Sequence, residues 1–313
     1  MLFYIFIVRI GTLLYPISFQ LKEAESNILQ KIVYLSIPDA LCQNIVACIL
    51  IYFHILLLNY IFSKHKLARE TTMFSGVFYT LFVSLVVDNN ALLPVLIANT
   101  FMLLALKNIL DTLKNNQATS YIFISGFMIG IASLFYSPYF VFIVFGVISL
   151  LQLRSFKILE KLQFFIGIFI PYYFLFAYRY WHDIPFVELN FIKNIFFRWP
   201  ALNIHSLLIL YVSAVILILS VFFSIINYGN ITSKKAFQTQ KKIDIFYWFM
   251  LFCLLSFLIF STDNTSHLIT LSIPLALLTS IAASESKNRI FYELLHIFLI
   301  ALIFIGQFKL INF

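Results

Sequence analysis

Long apolar runs separated by short polar stretches fill the chain from its first residues to its last. Runs near 2–20, 42–62, 71–87, 91–110, 121–136, 138–153, 163–181, 204–227, 245–262, 265–283 and 290–308 are each close to the ~20 residues that carry a helix across a hydrocarbon core of ~30 Å. Charge, Asn or Pro marks the breaks, as expected where helices end at a headgroup surface. The pattern predicts an all-α, polytopic transmembrane helical bundle of about 11 spans, one transmembrane domain over residues 1–313. The pairs 71–87/91–110, 121–136/138–153 and 245–262/265–283 are joined by almost no polar chain, so they are expected to be tight hairpins. Residues 2–20 lack a basic leader and a small-residue cleavage site, and Arg9 interrupts them, so they read as a retained span rather than a signal peptide.

Composition strengthens this reading. The chain is 62% hydrophobic, 19% aromatic and 11% charged, too apolar for a soluble fold to cover. A net charge of +8 would point to a polyanion in a soluble protein. Here the basic residues sort by side: fourteen fall in one set of alternate loops, six in the other, and Arg9 lies in the first span. Short cytoplasmic loops accumulate Lys and Arg, so the N-terminus is expected inside and the C-terminus outside. The bilayer is the expected partner, and nucleic acid is not.

Two outer connections, 21–41 and 182–203, are long enough to hold helices lying in the interface. In the second, Phe186, Leu189, Ile192, Phe196 and Trp199 recur at helical spacing between Pro185 and Pro200. In the first, Ser26 is placed to cap a turn leading into Ile28, Ile32 and Leu35. Such helices either form part of a site or seal the bundle. The inner loop 228–244, with Lys234, Lys235, Lys241 and Lys242, is expected to be a solvated face against anionic lipid headgroups.

Candidate chemistry is sparse. The sequence has no HExxH, GxSxG, phosphate-loop or DxD pattern, and neither a metal site nor a cofactor is expected. The six histidines scatter over both sides and the spans, too dispersed to converge on one iron. Cys42, Cys48 and Cys253 all fall in apolar runs and read as packing residues. Seven of the thirteen acids, including Glu23, Glu25, Asp39 and Asp183, fall on the outer side. There Arg179, His182 and Arg198, interleaved with Tyr178, Tyr180, Trp181 and Trp199, form either a rim for a lipid phosphate or an ordinary aromatic belt with snorkelling cations. Arg9 is the sharper signal. A guanidinium well inside a span costs about 2.5–3.5 kcal/mol or more unless it faces a cavity, pairs with an acid or snorkels to the inner surface.

The order of these features resembles the polyprenyl-phosphate-dependent glycosyltransferases of the C type (GT-C). The residues that carry the resemblance are Arg9-Ile10-Gly11 in the first span, the acids Glu23 and Glu25 in the first outer loop, and the run from Gly126 to Leu134 entering a hairpin at Tyr136-Ser137-Pro138. The resemblance implies Glu23 or Glu25 as catalytic base toward an acceptor hydroxyl, a role a carboxylate can fill. It further implies Arg9, Arg179, His182 and Arg198 around the phosphate of a polyprenyl-phosphate-linked sugar donor. The sequence departs from that pattern in lacking an adjacent acidic pair and in its short first outer loop. The chain is also similar to multi-pass inner-membrane proteins of Bacteroidota, through Leu96 to Leu106 and Ile129 to Tyr136, which implies a bacterial inner (cytoplasmic) membrane and no particular activity.

Two functions follow: a transferase moving a sugar from a polyprenyl-phosphate donor at the outer face, or a non-catalytic subunit or scaffold of an envelope, secretion or motility assembly. A transporter or flippase has less support, since the spans carry no mid-membrane acid for a proton relay. Topology reporters test the frame. Alkaline phosphatase inserted at residue 190 is expected to be active and at residue 236 inactive; the reverse pattern overturns the orientation.

Overall fold

The computed structural model describes residues 1–16, 18, 28–68, 72–85, 92–114, 118–154, 157–183, 208–233, 235–259, 265–286 and 289–308, and among these the regular structure is helical. In chain order the helices are α1 (Leu2–Val8), α2 (Ile10–Leu14), α3 (Ile28–Ser36), α4 (Ala40–Lys64), α5 (Phe74–Ser84), α6 (Pro94–Asp111), α7 (Thr119–Phe135) and α8 (Phe142–Leu153). They continue with α9 (Ile158–Trp181), α10 (Leu208–Ile226), α11 (Tyr228–Thr232), α12 (Phe237–Ile259), α13 (Ser272–Glu285) and α14 (Arg289–Gln307). Among the described residues five helical segments are long and apolar enough to cross a membrane: Ala40–Lys64, Pro94–Asp111, Ile158–Trp181, His267–Glu285 and Ile290–Gln307. Phe74–Ser84, Thr119–Phe135, Ser137–Leu153 and Val215–Ile226 are shorter apolar segments.

Local chemistry sets the breaks. α6 begins at Pro94, which needs no amide hydrogen in a first turn, after the extended Leu93. α7 stops at Tyr136, whose extended backbone precedes Ser137-Pro138 and a 3-10 turn over Ser137–Val141 that feeds directly into α8. At the start of α9 the Glu160 carboxylate accepts from the Lys157 amide at 3.2 Å. Within the apolar helices, Thr80, Ser125, Ser256 and Thr279 donate to carbonyls three or four residues back, which satisfies their hydroxyls without water.

The bundle core is built from neighbouring pairs: α13 on α5, α5 and α6 on α4, α6 on α7, and α7 on α9, the most extensive contact. Glycine permits that last approach. A Cβ on Gly126 would sit 2.3 Å from the Phe164 carbonyl oxygen, and one on Gly167 would sit 2.4 Å from that of Phe123. Gly126 and Gly130 form the small-xxx-small face that lets two membrane helices meet backbone to backbone. An aromatic cluster of Tyr139, Phe142, Phe145, Phe249 and Phe252 joins α8 to α12.

Side-chain contacts define the two ends of the bundle. At one end Lys64 pairs with Asp111 at 2.7 Å, His65 Nε2 lies 3.4 Å from the same carboxylate, and Lys242 donates to His65 Nδ1 at 3.0 Å. Arg154–Glu160 at 2.9 Å and Lys235–Glu285 belong to that end too. This is the end the charge bias assigns to the cytoplasm. The inner loop is therefore less solvated than its composition predicts: α11 and the first turns of α12 occupy most of 228–244, and Lys242 is buried against His65. Lys234 lies outside the described residues.

At the opposite end, α3 lies across the helix termini. Gln30 donates to the Phe135 carbonyl at 2.6 Å and Tyr34 to that of Leu92 at 2.6 Å. Burial raises the Tyr34 hydroxyl above the ordinary tyrosine range, so it stays a donor. This helix occupies part of the predicted outer segment 21–41; Ser26, and within 182–203 all residues beyond Asp183, lie outside the described residues.

Adding a methyl group at the glycine contact is expected to separate α7 from α9. Gly126→Ala and Gly167→Ala should each lower stability by about 1–3 kcal/mol, read as a lower Tm in detergent. Gly229→Ala, where nothing lies within 4 Å, should leave Tm unchanged. Equal Tm for all three variants contradicts the close approach.

Candidate functional site

The first span is not one helix. α1 ends and α2 begins at Arg9, whose backbone leaves the helical region at φ −108 and ψ 19. The break frees backbone groups that have no water to turn to. Gln307, at the end of α14, supplies the partners: its Nε2 donates to the Val8 carbonyl at 2.8 Å, and its Oε1 accepts from the Gly11 amide at 3.1 Å. Gly11 is needed there because a Cβ would lie 2.7 Å from that oxygen. Thr12 donates to the Arg9 carbonyl at 2.8 Å, and Tyr4 shares a 2.9 Å hydrogen bond with His296, on the α14 face that also carries Gln307.

The break turns the Arg9 side chain into the bundle, where the residue is 1% exposed. Its guanidinium lies in hydrogen-bond reach of the Cys48 thiol and acts electrostatically on Tyr79. Cys48 is eight residues into α4 from its N-terminal end, ~12 Å down at 1.5 Å per residue. Arg9 therefore faces the interior of the bundle, in the half nearer the N-terminal end of α4, and does not snorkel out of it.

Around it runs a buried polar seam. The Tyr79 hydroxyl meets His54 Nδ1 at 2.7 Å, and His54 Nε2 meets Thr100 Oγ1 at 2.7 Å. Thr100 points its own hydroxyl at the Leu96 carbonyl, 3.4 Å away. The chain of donors then runs one way: His54 donates through Nε2, and Tyr79 donates to Nδ1, which leaves the Tyr79 oxygen as an acceptor toward Arg9. Asn99 and Ser272 approach the same oxygen, and Tyr139 donates to Asn99 Oδ1. Beyond Tyr139 come the Tyr136 ring, at 5.3 Å between centroids, and His267, 5.0 Å from Tyr136. The seam thus reaches from the outer end of α13 to the middle of α4. It consists of one permanent cation and a set of neutral donors and acceptors, an arrangement suited to an anion or a hydroxyl-rich group.

The other predicted residues fall elsewhere. Arg179 is buried near the C-terminal end of α9, and His182, exposed just beyond it, lies 4.5 Å from the Tyr178 ring between centroids. α9 packs on α7, whereas Arg9 lies against α4 and α5, so these residues belong to separate neighbourhoods. Glu23, Glu25 and Arg198 lie outside the described residues. Among the described residues no group of His, Cys, Asp and Glu is arranged to hold a metal. Cys42, Cys48 and Cys253 are free thiols. The sequence reading missed Tyr79, Asn99, Tyr139, His267 and Gln307. Their signal was available as polar groups interrupting apolar runs, Asn99-Thr100 above all.

Residues 19–313 match a family of unknown function, DUF6427. The chain belongs to that family. Arg9 precedes the matched residues. No curated protein matches the chain. Among solved structures it is similar to ArnT from Cupriavidus metallidurans, whose crystal structure has undecaprenyl phosphate bound, with a TM-score of 0.54 at 13% identity. The similarity covers 93% of this chain and 56% of ArnT, so the chain spans little more than half the length of that neighbour. At this identity the likeness is one of fold: a helical membrane protein of the same architecture.

The Gln307 amide is expected to hold the broken span together. Gln307→Leu leaves the Val8 carbonyl and the Gly11 amide without partners and should lower stability by about 1–3 kcal/mol. Gln307→Glu, which keeps only the acceptor, should fall between Leu and the wild type. A Gln307→Leu variant as stable as the wild type in chemical unfolding contradicts this role.

Proposed function

We propose that the protein is a transferase of the C type that takes a sugar from a polyprenyl-phosphate carrier at the outer face of a bacterial inner membrane. In this reading the chain crosses the membrane about eleven times with its N-terminus inside. The observation that carries the proposal is the seam itself: a guanidinium turned inward by a helix break, surrounded by neutral donors in the outer half of the bundle. Discontinuous membrane helices gather at binding sites because their freed polar groups can serve a ligand. A fold shared with a protein that holds undecaprenyl phosphate supports the same donor class. Glu23 or Glu25 is the base that takes the acceptor's proton, and Arg9, Arg179, His182 and Arg198 are the groups assigned to the phosphate. Arg9 is buried at the break between α1 and α2, and in this reading Arg179 and His182, at the end of α9, meet a headgroup arriving from the lipid side.

One observation favours a second reading, a non-catalytic membrane subunit. The seam is packed, with His54, Tyr79, Asn99 and Tyr139 all at 0% exposure, so Arg9 and its neighbours also serve as a buried polar lock.

Native mass spectrometry of the protein taken gently from its own membrane separates the two. The transferase reading predicts co-purified polyprenyl-phosphate lipid without stoichiometric protein partners; partners without such lipid overturn it. As a second check, Glu23→Gln with Glu25→Gln should abolish complementation of envelope glycans in a deletion strain while leaving insertion intact. Full complementation removes the base from the mechanism.

A further inference from the structure

Two inter-helix connections, α7–α8 and α12–α13, converge on a side chain that the transferase reading has not used. His267 lies in the 3-10 turn Thr265–Leu271 that leads into α13. It is 2% exposed and sits between Tyr136, from the α7–α8 turn, and Phe257, from the end of α12. Its ring centroid is 5.0 Å from that of Tyr136 and 6.2 Å from that of Phe257, the latter edge-on at 89°. Neither imidazole nitrogen has a hydrogen-bond partner among the described residues. His54, equally buried, has both nitrogens engaged, so the fold satisfies a histidine where only packing is required. A buried polar group without a partner destabilises the free protein, and its retention calls for a ligand that completes it.

The location supports such a ligand. α3 docks by Gln30 on the Phe135 carbonyl, one residue from Tyr136. Glu25 is five residues before Gln30, a separation that extended chain spans in at most ~18 Å. The docked start of α3 thus lies beside the Tyr136 turn that flanks His267, within chain reach of both candidate bases. We propose that His267 binds a hydroxyl of the sugar carried by the lipid donor, with the rings of Tyr136 and Phe257 against the sugar's apolar face. This inference rests on the transferase reading. Neutral imidazole presents one N–H donor and one lone-pair acceptor, and a sugar hydroxyl matches both, whereas a phosphate, with acceptors only, engages just one. His267 is thus a substrate-binding residue that selects glycosylated over bare carrier lipid; the proton transfer stays with the acids of the first outer loop.

The test uses the full chain in lipid nanodiscs and two kinds of probe: undecaprenyl phosphate, and undecaprenyl phosphate carrying glucose, galactose, mannose or arabinose. The wild type is expected to bind at least one glycosylated probe about tenfold more tightly than undecaprenyl phosphate. His267→Phe should lose that preference, keep its affinity for undecaprenyl phosphate, and show a Tm equal to or above the wild type, because it removes the unsatisfied nitrogens. His267→Leu is the second apolar replacement should Phe not fit, and His267→Gln, with a donor and an acceptor, should keep part of the preference. Binding of undecaprenyl phosphate with no preference for any glycosylated probe, or a preference that survives His267→Phe or His267→Leu, overturns this role and leaves the transferase reading standing. Failure to bind any of the lipids overturns that reading as well.

Discussion

In hydrocarbon, a backbone group released from a helix finds a protein partner or stays unsatisfied, and the second outcome costs several kcal/mol. The break at Arg9 is built around that constraint. One side-chain amide, Gln307, donates to the carbonyl on one side of the break and accepts from the amide on the other, which ties the first span to the last helix. With the break held, Arg9 faces Cys48 and Tyr79 inside the bundle. Tyr79 then orders His54 and Thr100, and its oxygen gathers Asn99 and Ser272. Contacts from seven helices, α1, α2, α4, α5, α6, α13 and α14, thus depend on one interruption.

The two ends of the bundle solve opposite electrostatic problems. At the end that the charge bias assigns to the cytoplasm, charges are paired with charges: Lys64 with Asp111, Arg154 with Glu160, Lys235 with Glu285. Most of these side chains are largely buried between helix ends, so the pairs fix register, and removing one partner would strand the other's charge. Toward the opposite end, among the described residues, the buried polar groups other than Arg9 and Arg179 are neutral: amide, hydroxyl, imidazole and thiol. A neutral donor can be turned toward a guest at small cost, whereas separating a buried ion pair leaves a stranded charge.

The sequence made the helical membrane architecture legible because hydrocarbon imposes a length and a composition that no other solvent does. The hairpin turn at Tyr136-Ser137-Pro138 was readable for a similarly local reason, since proline disfavours helix in the residue before it. The importance of Arg9 was readable, but its direction was not: a cation of that length reaches either interior or interface, and the choice is made by Gln307, almost three hundred residues away in the chain. Asn99, Tyr139 and His267 were harder still. Each is a single polar side chain on an otherwise apolar stretch, and only the crossing of α6, the α7–α8 turn and the lead into α13 places them on one line. Arg179 and His182 share a helix end and were readily grouped with Arg9 by residue type, yet α9 packs on α7, away from the Arg9 break.

The difference between the two histidines in the seam bears on whether it is a lock or a site. A lock is complete without a guest, and the Tyr79–His54–Thr100 chain meets that description: every nitrogen is engaged and the donors run in one direction to a backbone carbonyl. His267 does not meet it, since both its nitrogens are buried and unmatched among the described residues, at the end where α3 docks. A bundle selected only to hold together gains by replacing such an imidazole with an apolar ring of similar volume, because the surroundings are already aromatic. Its presence at the end where α3 lies, above a seam that deepens toward a buried guanidinium, therefore supports the proposal that a polar ligand completes this part of the seam.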